Sequence, residues 1–459
     1  MMSAFWQQVT LSRVNFHHWR EVSVLHQLLA PLRRWRQGSW LLPWGDWIGL
    51  ALGLIVYALA PFVSTTLIGV LLLACAGFWL LLTVSDDAGA GFTPIHGVVL
   101  VYGGVMALAT ALSPVKAAAL QGLIKLGLNI MLFFLMARAL RHPQARNWTV
   151  LVLLMTSLPV SVFGLRQYFF GAEALATWTD QTSTLADTTR VYSFLGNPNL
   201  LAGYLVPAVT FSGAAIFAWP RWLPKLLGVL LLLVNGLCLV LTLSRGGWIG
   251  MLAAGLVALV LLVYYLSVRF SPFWQRWALP LLLGGALVLL GLAVFAVEPL
   301  RLRVMSIFAG RQDSSNNFRM NVWAGVIEMI KARPVLGIGP GNDAFNSIYP
   351  FYQRPRYTAL SAYSVFLEIA VEAGIVGLLT FFWLMAVAWS EGWRQLQRLR
   401  DLQSPQGYWL MGAIATQAGM LAHGLVDTVW YRPQVSTLWW LMMAIVASYY
   451  RFGGREVRQ

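Results

Sequence analysis

The feature that most constrains this chain is a succession of apolar stretches, each about 20 residues long, between residues 44 and 450. A bilayer core is about 30 Å thick, and an α-helix needs about 20 apolar residues to cross it. Only 11% of the 459 residues are charged and 58% are hydrophobic, which is too apolar for a single soluble core. The sequence therefore predicts an all-α polytopic membrane protein.

The apolar stretches predict about twelve transmembrane helices. We place them at 44–62, 66–84, 95–112, 119–140, 148–170, 194–219, 222–243, 246–268, 275–297, 361–389, 407–428 and 435–450. The resulting order is a basic, Trp-rich amphipathic arm (1–43), helices one to nine (44–297), a long helical loop (298–360), helices ten to twelve (361–450) and a short tail (451–459).

The positions of Lys and Arg predict which way the helices run. Cytoplasmic loops of membrane proteins carry an excess of these residues. More than half of the 32 Lys and Arg residues lie on one side if both termini are cytoplasmic, which places the loop 298–360 outside. The expected location is the bacterial inner membrane. The net charge of +15 is spread beside apolar spans instead of forming a basic domain, so nucleic-acid binding is not expected.

With this orientation, unusual polar residues gather at the outer ends of the predicted helices. The candidate ligands for a substrate anion are Arg166, Arg190, Asn197, Asn199, Arg245, Arg319, Glu368 and Arg432. Several arginines beside a helix that starts at Pro198 favour a multiply charged anion such as a diphosphate, because free helix N–H groups add positive partial charge. No spacing typical of a metal site is present, and no cofactor is expected.

Each of these patterns is also consistent with a purely structural role. Ser244-Arg245-Gly246-Gly247 suits a tight hairpin with a snorkelling arginine, and Asn197-Pro198-Asn199 suits a helix cap. His423 and Asp427 are four residues apart, so they form either a base and its orienting carboxylate or a structural pair. Glu368 is expected to pair with an arginine, because a buried unpaired carboxylate is costly.

Four segments in order resemble the membrane family of O-antigen ligases and polymerases. They are RVYSFLGNPNLLAGYL (190–205), LTLSRGGWIGML, whose core is 243–252, NFRMNVW followed by PVLGIGPGNDAF (334–345), and YSVFLEIAVEAGIVGLL (363–379). The resemblance implies a twelve-helix C-type glycosyltransferase fold that transfers a glycan from an undecaprenyl-diphosphate carrier on the periplasmic side, without metal or nucleotide. It also implies that Arg245 and Arg319 engage the diphosphate.

The segments 358–374 and 423–434 look more narrowly like the cyanobacterial IctB-type proteins, a subgroup named for a proposed part in inorganic carbon accumulation. The ligases usually carry His-Asn where this chain has Tyr363-Ser364, so the expected catalytic histidine is absent. Tyrosine has a pKa near 10 and is a weak base at neutral pH. The remaining catalytic candidates are His423, Asp427 and Tyr363.

Three functions are compatible with these observations. The first is a protein that binds a lipid-linked anionic glycan, with or without metal-independent transferase activity. The second is a bicarbonate transporter or accessory, for which Lys125 within the fourth predicted span is a candidate on an ion path. The third is a structural membrane partner in a larger assembly. In all three, the lipid bilayer is a partner.

Overall fold

The computed structural model describes residues 4–11, 35–85, 92–172 and 190–450. Most of the amino-terminal arm, with Arg13, Arg20, Arg33 and Arg34, and the tail 451–459 lie outside the described residues. Within the arm, the described parts include a short helix, α1 (Ala4–Val9), whose Val9 carbonyl accepts a hydrogen bond from Trp383 at 2.7 Å.

Fifteen further α-helices are formed by the described residues. Those before the long loop are α2 (Gly45–Leu59), α3 (Thr65–Ser85), α4 (Pro94–Ala111), α5 (Lys116–Ala139), α6 (Pro143–Phe170), α7 (Pro198–Ala218), α8 (Trp222–Leu241), α9 (Arg245–Leu266) and α10 (Pro272–Ala296). The long loop contains α11 (Glu298–Phe308), α12 (Ser314–Ala332) and α13 (Asn342–Ile348), and the chain continues with α14 (Val365–Asp401), α15 (Gln406–Gly424) and α16 (Pro433–Ser448).

Ten of the described helices are long and apolar enough to span a membrane, namely α2 to α10 and α14, with α2 counted from Leu42 so that it includes the preceding 3-10 turn and has 18 residues. This confirms an all-α polytopic membrane protein. The sequence predicts two more spans, and helices do form there, but α16 has 16 residues and is only about 24 Å long. Helix α15 has 19 residues and includes polar Gln417 and His423. Both helices are largely buried among the others, where polar side chains find protein neighbours instead of lipid.

Small residues allow α9 and α15 to pack closely, which positions the start of α9. A Cβ atom on Gly250 would lie 2.7 Å from the carbonyl oxygen of Gly419, and the converse distance is also 2.7 Å. Such approach of two helix backbones is typical of membrane helix pairs. Arg245 at the start of α9 is therefore held beside the end of α15.

A buried amide joins the three helices α6, α7 and α8. Asn235 on α8 accepts a hydrogen bond from Ser161 on α6 at 2.6 Å and donates to Ser157 at 3.1 Å and to Ser212 on α7 at 3.4 Å. Asn235 is fully buried. Within the apolar bundle this set of hydrogen bonds fixes the relative positions of α6, α7 and α8.

Within the loop 298–360, which the sequence predicts to be helical, α12 spans Ser314–Ala332. Val322, Val326 and Met329 line its buried face. The helix ends at Ala332, just before Pro334, which cannot supply the N–H that another turn requires.

Residues 334–341 insert between α5 and α14 instead of remaining above the bundle. Helix α14 is broken at Ala373 and Gly374, where φ of Gly374 is +61°. The N–H groups of Ile338 and Gly339 donate to the carbonyls of Val371 at 2.9 Å and Glu372 at 2.8 Å, and the N–H of Ile375 donates to Pro334. The inserted segment thus satisfies backbone groups that the break leaves without helical partners.

Candidate functional site

Four arginines from different parts of the chain meet at the end of the bundle that carries α11 to α13. We call Arg190, Arg245, Arg303 and Arg319 the arginine cluster. Arg190 precedes α7, Arg245 begins α9, Arg303 lies on α11 and Arg319 lies on α12. Asp313 and Asp427 contribute carboxylates to the same region.

Arg245 is buried and has several partners. Ser244 caps α9 by accepting a hydrogen bond from the N–H of Gly247, which directs the first turn of the helix toward the cluster. One guanidinium nitrogen of Arg245 lies 2.8 Å from Asp313, and another donates to the carbonyl and hydroxyl of Ser306 at 3.0 and 3.2 Å. Protein groups on the long loop thus partly compensate its charge.

Asp427 connects the remaining arginines to the start of α7. One of its carboxylate oxygens lies 3.6 Å from Arg319 and accepts from Asn199 at 2.6 Å, while the other accepts from the N–H of Thr428 at 2.8 Å. Asn199 in turn accepts from Arg190 at 3.3 Å. Asn197 has a local role, because its side chain accepts from the first N–H groups of α7 and so caps that helix.

Arg303 is a member of the cluster that the sequence analysis missed. Its Nε donates to the carbonyl of Leu243 at 2.8 Å, and only 8% of the residue is exposed. Burial lowers the pKa of Arg303 to about 9, with further lowering by Arg190 and Arg245. One of several basic residues in the long loop, Arg303 carries no pattern in sequence that distinguishes it from its neighbours.

The cluster carries more positive than negative charge. Burial lowers the pKa of Arg190 to about 10, followed by the effects of Arg319 and Arg245, so this group remains charged at neutral pH. Two of the four guanidinium groups form ion pairs among the described residues, Arg245 with Asp313 and Arg319 with Asp427, whereas Arg190 and Arg303 bond to neutral acceptors. The Nε of Arg319 is also buried without a partner among the described residues. Unbalanced like charges in a partly dry site favour binding of a polyvalent anion.

Strained backbone flanks three of the segments that build the site. Ser193, Leu243 and Tyr363 have φ values of 51°, 51° and 50°, in the left-handed region that residues with a Cβ rarely adopt. They precede α7, α9 and α14. Such strain costs about 1–3 kcal/mol per residue and is found preferentially at functional sites.

The structure does not bring all predicted arginines together. Arg166 is exposed and lies over the ring of Phe163, 5.8 Å from its centroid. Arg432 is also exposed and lies over the neighbouring ring of Tyr431 at 5.3 Å. No hydrogen bond or ion pair between described residues links either arginine to the cluster.

His423 and Asp427 do not form the helical pair that their spacing suggests. Helix α15 ends at Gly424, so Asp427 lies beyond it and bonds to other residues. His423 is 1% exposed and its Nε2 has no partner among the described residues. A Cβ atom added to Gly246 would lie 3.0 Å from this Nε2, so α9 packs directly against the imidazole.

The expectation that Glu368 pairs with an arginine is wrong. Its Oε2 accepts from the N–H of Ala362 at 2.6 Å and from the hydroxyl of Thr428 at 3.5 Å. A backbone N–H at the start of α14 replaces the expected cation because the chain turns back over the carboxyl group there.

Tyr363 lies near both this carboxyl group and the cluster, since the charges of Asp427, Arg319 and Glu368 act on its hydroxyl. It precedes α14 and packs edge-on against Phe318 at a centroid distance of 5.4 Å. Burial raises the pKa of Tyr363 to about 12, and the charge of Asp427 contributes in the same direction. At neutral pH its hydroxyl therefore stays protonated and is a hydrogen-bond donor, not a base.

Comparison with known families supports the resemblance noted in the sequence. The sequence model of the O-antigen ligase family matches residues 227–382, about a third of the chain. No curated protein matches the chain. The matched region contains Arg245, Arg303, Arg319 and Glu368, whereas Arg190 and Asp427 lie outside it.

Proposed function

We propose that this O-antigen ligase-superfamily membrane protein binds a lipid-linked glycan through its diphosphate, at the arginine cluster. The observation that carries the proposal is the convergence of four guanidinium groups, of which two are paired with carboxylates, Arg245 with Asp313 and Arg319 with Asp427. A diphosphate supplies the missing negative charge and accepts bidentate hydrogen bonds from Arg245 and Arg319. The contacts of Arg245 with Ser306 are those that a bound diphosphate would replace.

The reaction that suits this site is glycosyl transfer. When the bond between the sugar and the diphosphate breaks, negative charge increases on the departing diphosphate. Guanidinium groups already held in place stabilise that charge without reorganising. The arginine cluster would in this way lower the barrier for transfer without a metal ion.

The excess of basic residues on the opposite side supports an orientation in which the arginine cluster lies outside the cytoplasm and both termini lie inside. Lipid-linked glycans assembled for the cell surface are then available to the site from the outer leaflet of the bacterial inner membrane. Only 6% of the residues in the apolar window of α10 are buried, so the side chains of this helix are available for contact with lipid.

Bicarbonate transport is less well supported by the geometry. It requires a polar path through the bundle, for which Lys125 was the candidate. The Lys125 side chain is 67% exposed and pairs with Asp343 at 3.1 Å, so it anchors α13 to α5. A structural role in an assembly would not explain why the arginine cluster carries excess positive charge.

The test begins with deletion of the gene in the bacterium that carries it. The deletion strain should accumulate a saccharide linked to undecaprenyl diphosphate. The purified protein in lipid nanodiscs, given that extracted material and a membrane extract of the deletion strain as the source of the acceptor, should release undecaprenyl diphosphate, a product independent of the sugar. Failure of the wild-type protein to release it, together with uptake of labelled bicarbonate in liposomes, would favour the transport alternative.

A further inference from the structure

A buried carboxyl group with unused hydrogen-bonding capacity lies beside the arginine cluster. Glu368 is 6% exposed and lies in the first turn of α14. Thr428 joins it to the cluster, because the Thr428 hydroxyl donates to Glu368 and the Thr428 N–H donates to Asp427. Two hydrogen bonds thus connect Glu368 with the carboxylate that contacts Arg319.

The two carboxyl oxygens of Glu368 differ in their hydrogen bonding. Oε2 accepts from Ala362 and Thr428, whereas Oε1 is buried with no partner among the described residues. A buried oxygen without a partner is costly and uncommon in a folded protein. Oε1 is therefore able to accept a hydrogen bond from a group that arrives with a substrate.

The other candidate bases near the cluster lack this capacity. Both oxygens of Asp427 already accept hydrogen bonds, from Asn199 and Thr428. His423 Nε2 is also buried without a partner among the described residues, but the backbone of α9 packs against this edge of the imidazole, where a Cβ atom on Gly246 would lie 3.0 Å from Nε2. Tyr363 retains its own proton at neutral pH. Of the two carboxyl groups, Glu368 and Asp427, Glu368 is therefore the one with an oxygen that accepts no hydrogen bond from a described residue.

We propose that Glu368 is the general base for transfer, in place of the histidine that this chain lacks. This inference rests on the proposed function. The acceptor hydroxyl gives its proton to the carboxylate of Glu368, and its oxygen forms a bond to the anomeric carbon. The bond between that carbon and the diphosphate oxygen breaks, and its electron pair leaves with the lipid diphosphate toward Arg245 and Arg319.

The next carboxyl group along α14, that of Glu372, already has a backbone partner. The segment 334–341 fills the break, and the N–H of Gly341 donates to Glu372 at 2.5 Å. Glu372 lies one helical turn after Glu368 and its carboxyl group is therefore bound to the loop. Glu372 provides a matched control, since it is the same residue type on the same helix face.

The experiment supplies the lipid-linked saccharide extracted from the deletion strain together with a membrane extract of the same strain as the source of the acceptor hydroxyl, and it measures release of undecaprenyl diphosphate. Wild type, Glu368→Gln, Glu368→Asp and Glu372→Gln are compared in nanodiscs, and binding of undecaprenyl diphosphate is measured for each. General base catalysis is worth about 10²–10⁴-fold. We expect Glu368→Gln to lower kcat at least about 100-fold with little change in KM or product binding. Glu368→Asp should recover part of kcat, and Glu372→Gln should stay within a few-fold of wild type.

Three outcomes would overturn the proposal. If wild type releases undecaprenyl diphosphate and Glu368→Gln does so at a similar kcat, Glu368 is not the base, while the proposed function stands. If Glu368→Gln loses binding of undecaprenyl diphosphate and keeps kcat, its role is in the binding site. If wild type binds undecaprenyl diphosphate but releases none from the extracted saccharide, the proposed transfer and its base both fail.

Discussion

The guanidinium group of Arg245 lies 2.8 Å from the carboxylate of Asp313, 68 residues further along the chain. This ion pair joins the first turn of a membrane helix to the loop that covers its end. It explains how an arginine is accommodated between two apolar helices. Because Asp313 neutralises only one of the four guanidinium groups of the cluster, the ion pair also bears on anion binding.

Replacing Asp313 by Asn should strengthen anion binding and weaken the fold. The amide keeps the acceptor that caps α12 through Asn316 but loses the charge that competes with a ligand for Arg245. We expect several-fold tighter binding of undecaprenyl diphosphate and a lower Tm. Binding in nanodiscs and thermal unfolding measure the two effects. Weaker binding by the variant would show that Asp313 supports the ligand instead of competing with it.

The same substitution should alter stability at acid pH. Burial opposes ionisation of Asp313, but the hydrogen bond from Arg245 and the N–H of Asn316 outweigh it and lower its pKa. A carboxyl group with a lowered pKa stabilises the folded state above its unfolded pKa, and this contribution is lost as the pH falls through the folded value. Thermal unfolding between pH 3 and pH 6 should show a smaller loss of Tm for Asp313→Asn than for wild type.

Arg303 should contribute to anion binding, although no sequence pattern identifies it. We expect Arg303→Ala to weaken binding of undecaprenyl diphosphate about tenfold or more, which corresponds to about 1.4 kcal/mol. Arg301 is a matched control on the same helix, since its side chain is 44% exposed and pairs weakly with Glu298 at 3.9 Å. Equal effects of Arg301→Ala and Arg303→Ala would mean that net charge alone determines binding.

The prediction from the sequence and the structure disagree about Arg166 and Arg432. The sequence predicts both in the anion site, whereas the structure leaves them exposed against Phe163 and Tyr431. We therefore expect Arg166→Ala and Arg432→Ala to change undecaprenyl diphosphate binding less than about twofold. Titration of nanodiscs with this lipid provides the comparison. A tenfold loss of undecaprenyl diphosphate affinity in either variant would show that this arginine contributes to the anion site.

The break in α14 should depend on Gly374. A Cβ atom there would lie 2.2 Å from the backbone of Val335, and φ is +61°. Adopting this conformation costs a residue with a Cβ about 1–2 kcal/mol before the clash is counted. We expect Gly374→Ala to lower Tm and to displace the segment 334–341. Gly127→Ala on α5, where no atom lies within 4 Å, is the control and should leave Tm nearly unchanged.

The sequence predicts the helices well because the bilayer imposes one length and one polarity on every span. Helix α12 could also be predicted from the sequence, since Val322, Val326 and Met329 repeat at helical spacing. The insertion of 334–341 at the break in α14 could not be predicted from the sequence, because it depends on hydrogen bonds between distant segments.

The candidate site was only partly predictable for a similar reason. Arg190, Arg245 and Arg319 stand out by their positions at helix ends or in a family motif, and the structure brings them together. Arg303 looks like any other basic residue of a loop until the fold places it on the carbonyl of Leu243. The pairing of His423 with Asp427 fails because the helix ends at Gly424, between the two residues.

The most direct test is the binding of undecaprenyl diphosphate to the purified protein in nanodiscs. We expect saturable binding to wild type, with at least about a tenfold loss in Arg245→Ala and in Arg319→Ala while both variants remain folded. Arg301→Ala should bind as wild type does. Equal affinity of wild type, Arg245→Ala and Arg319→Ala for this lipid would contradict an anion site at the arginine cluster.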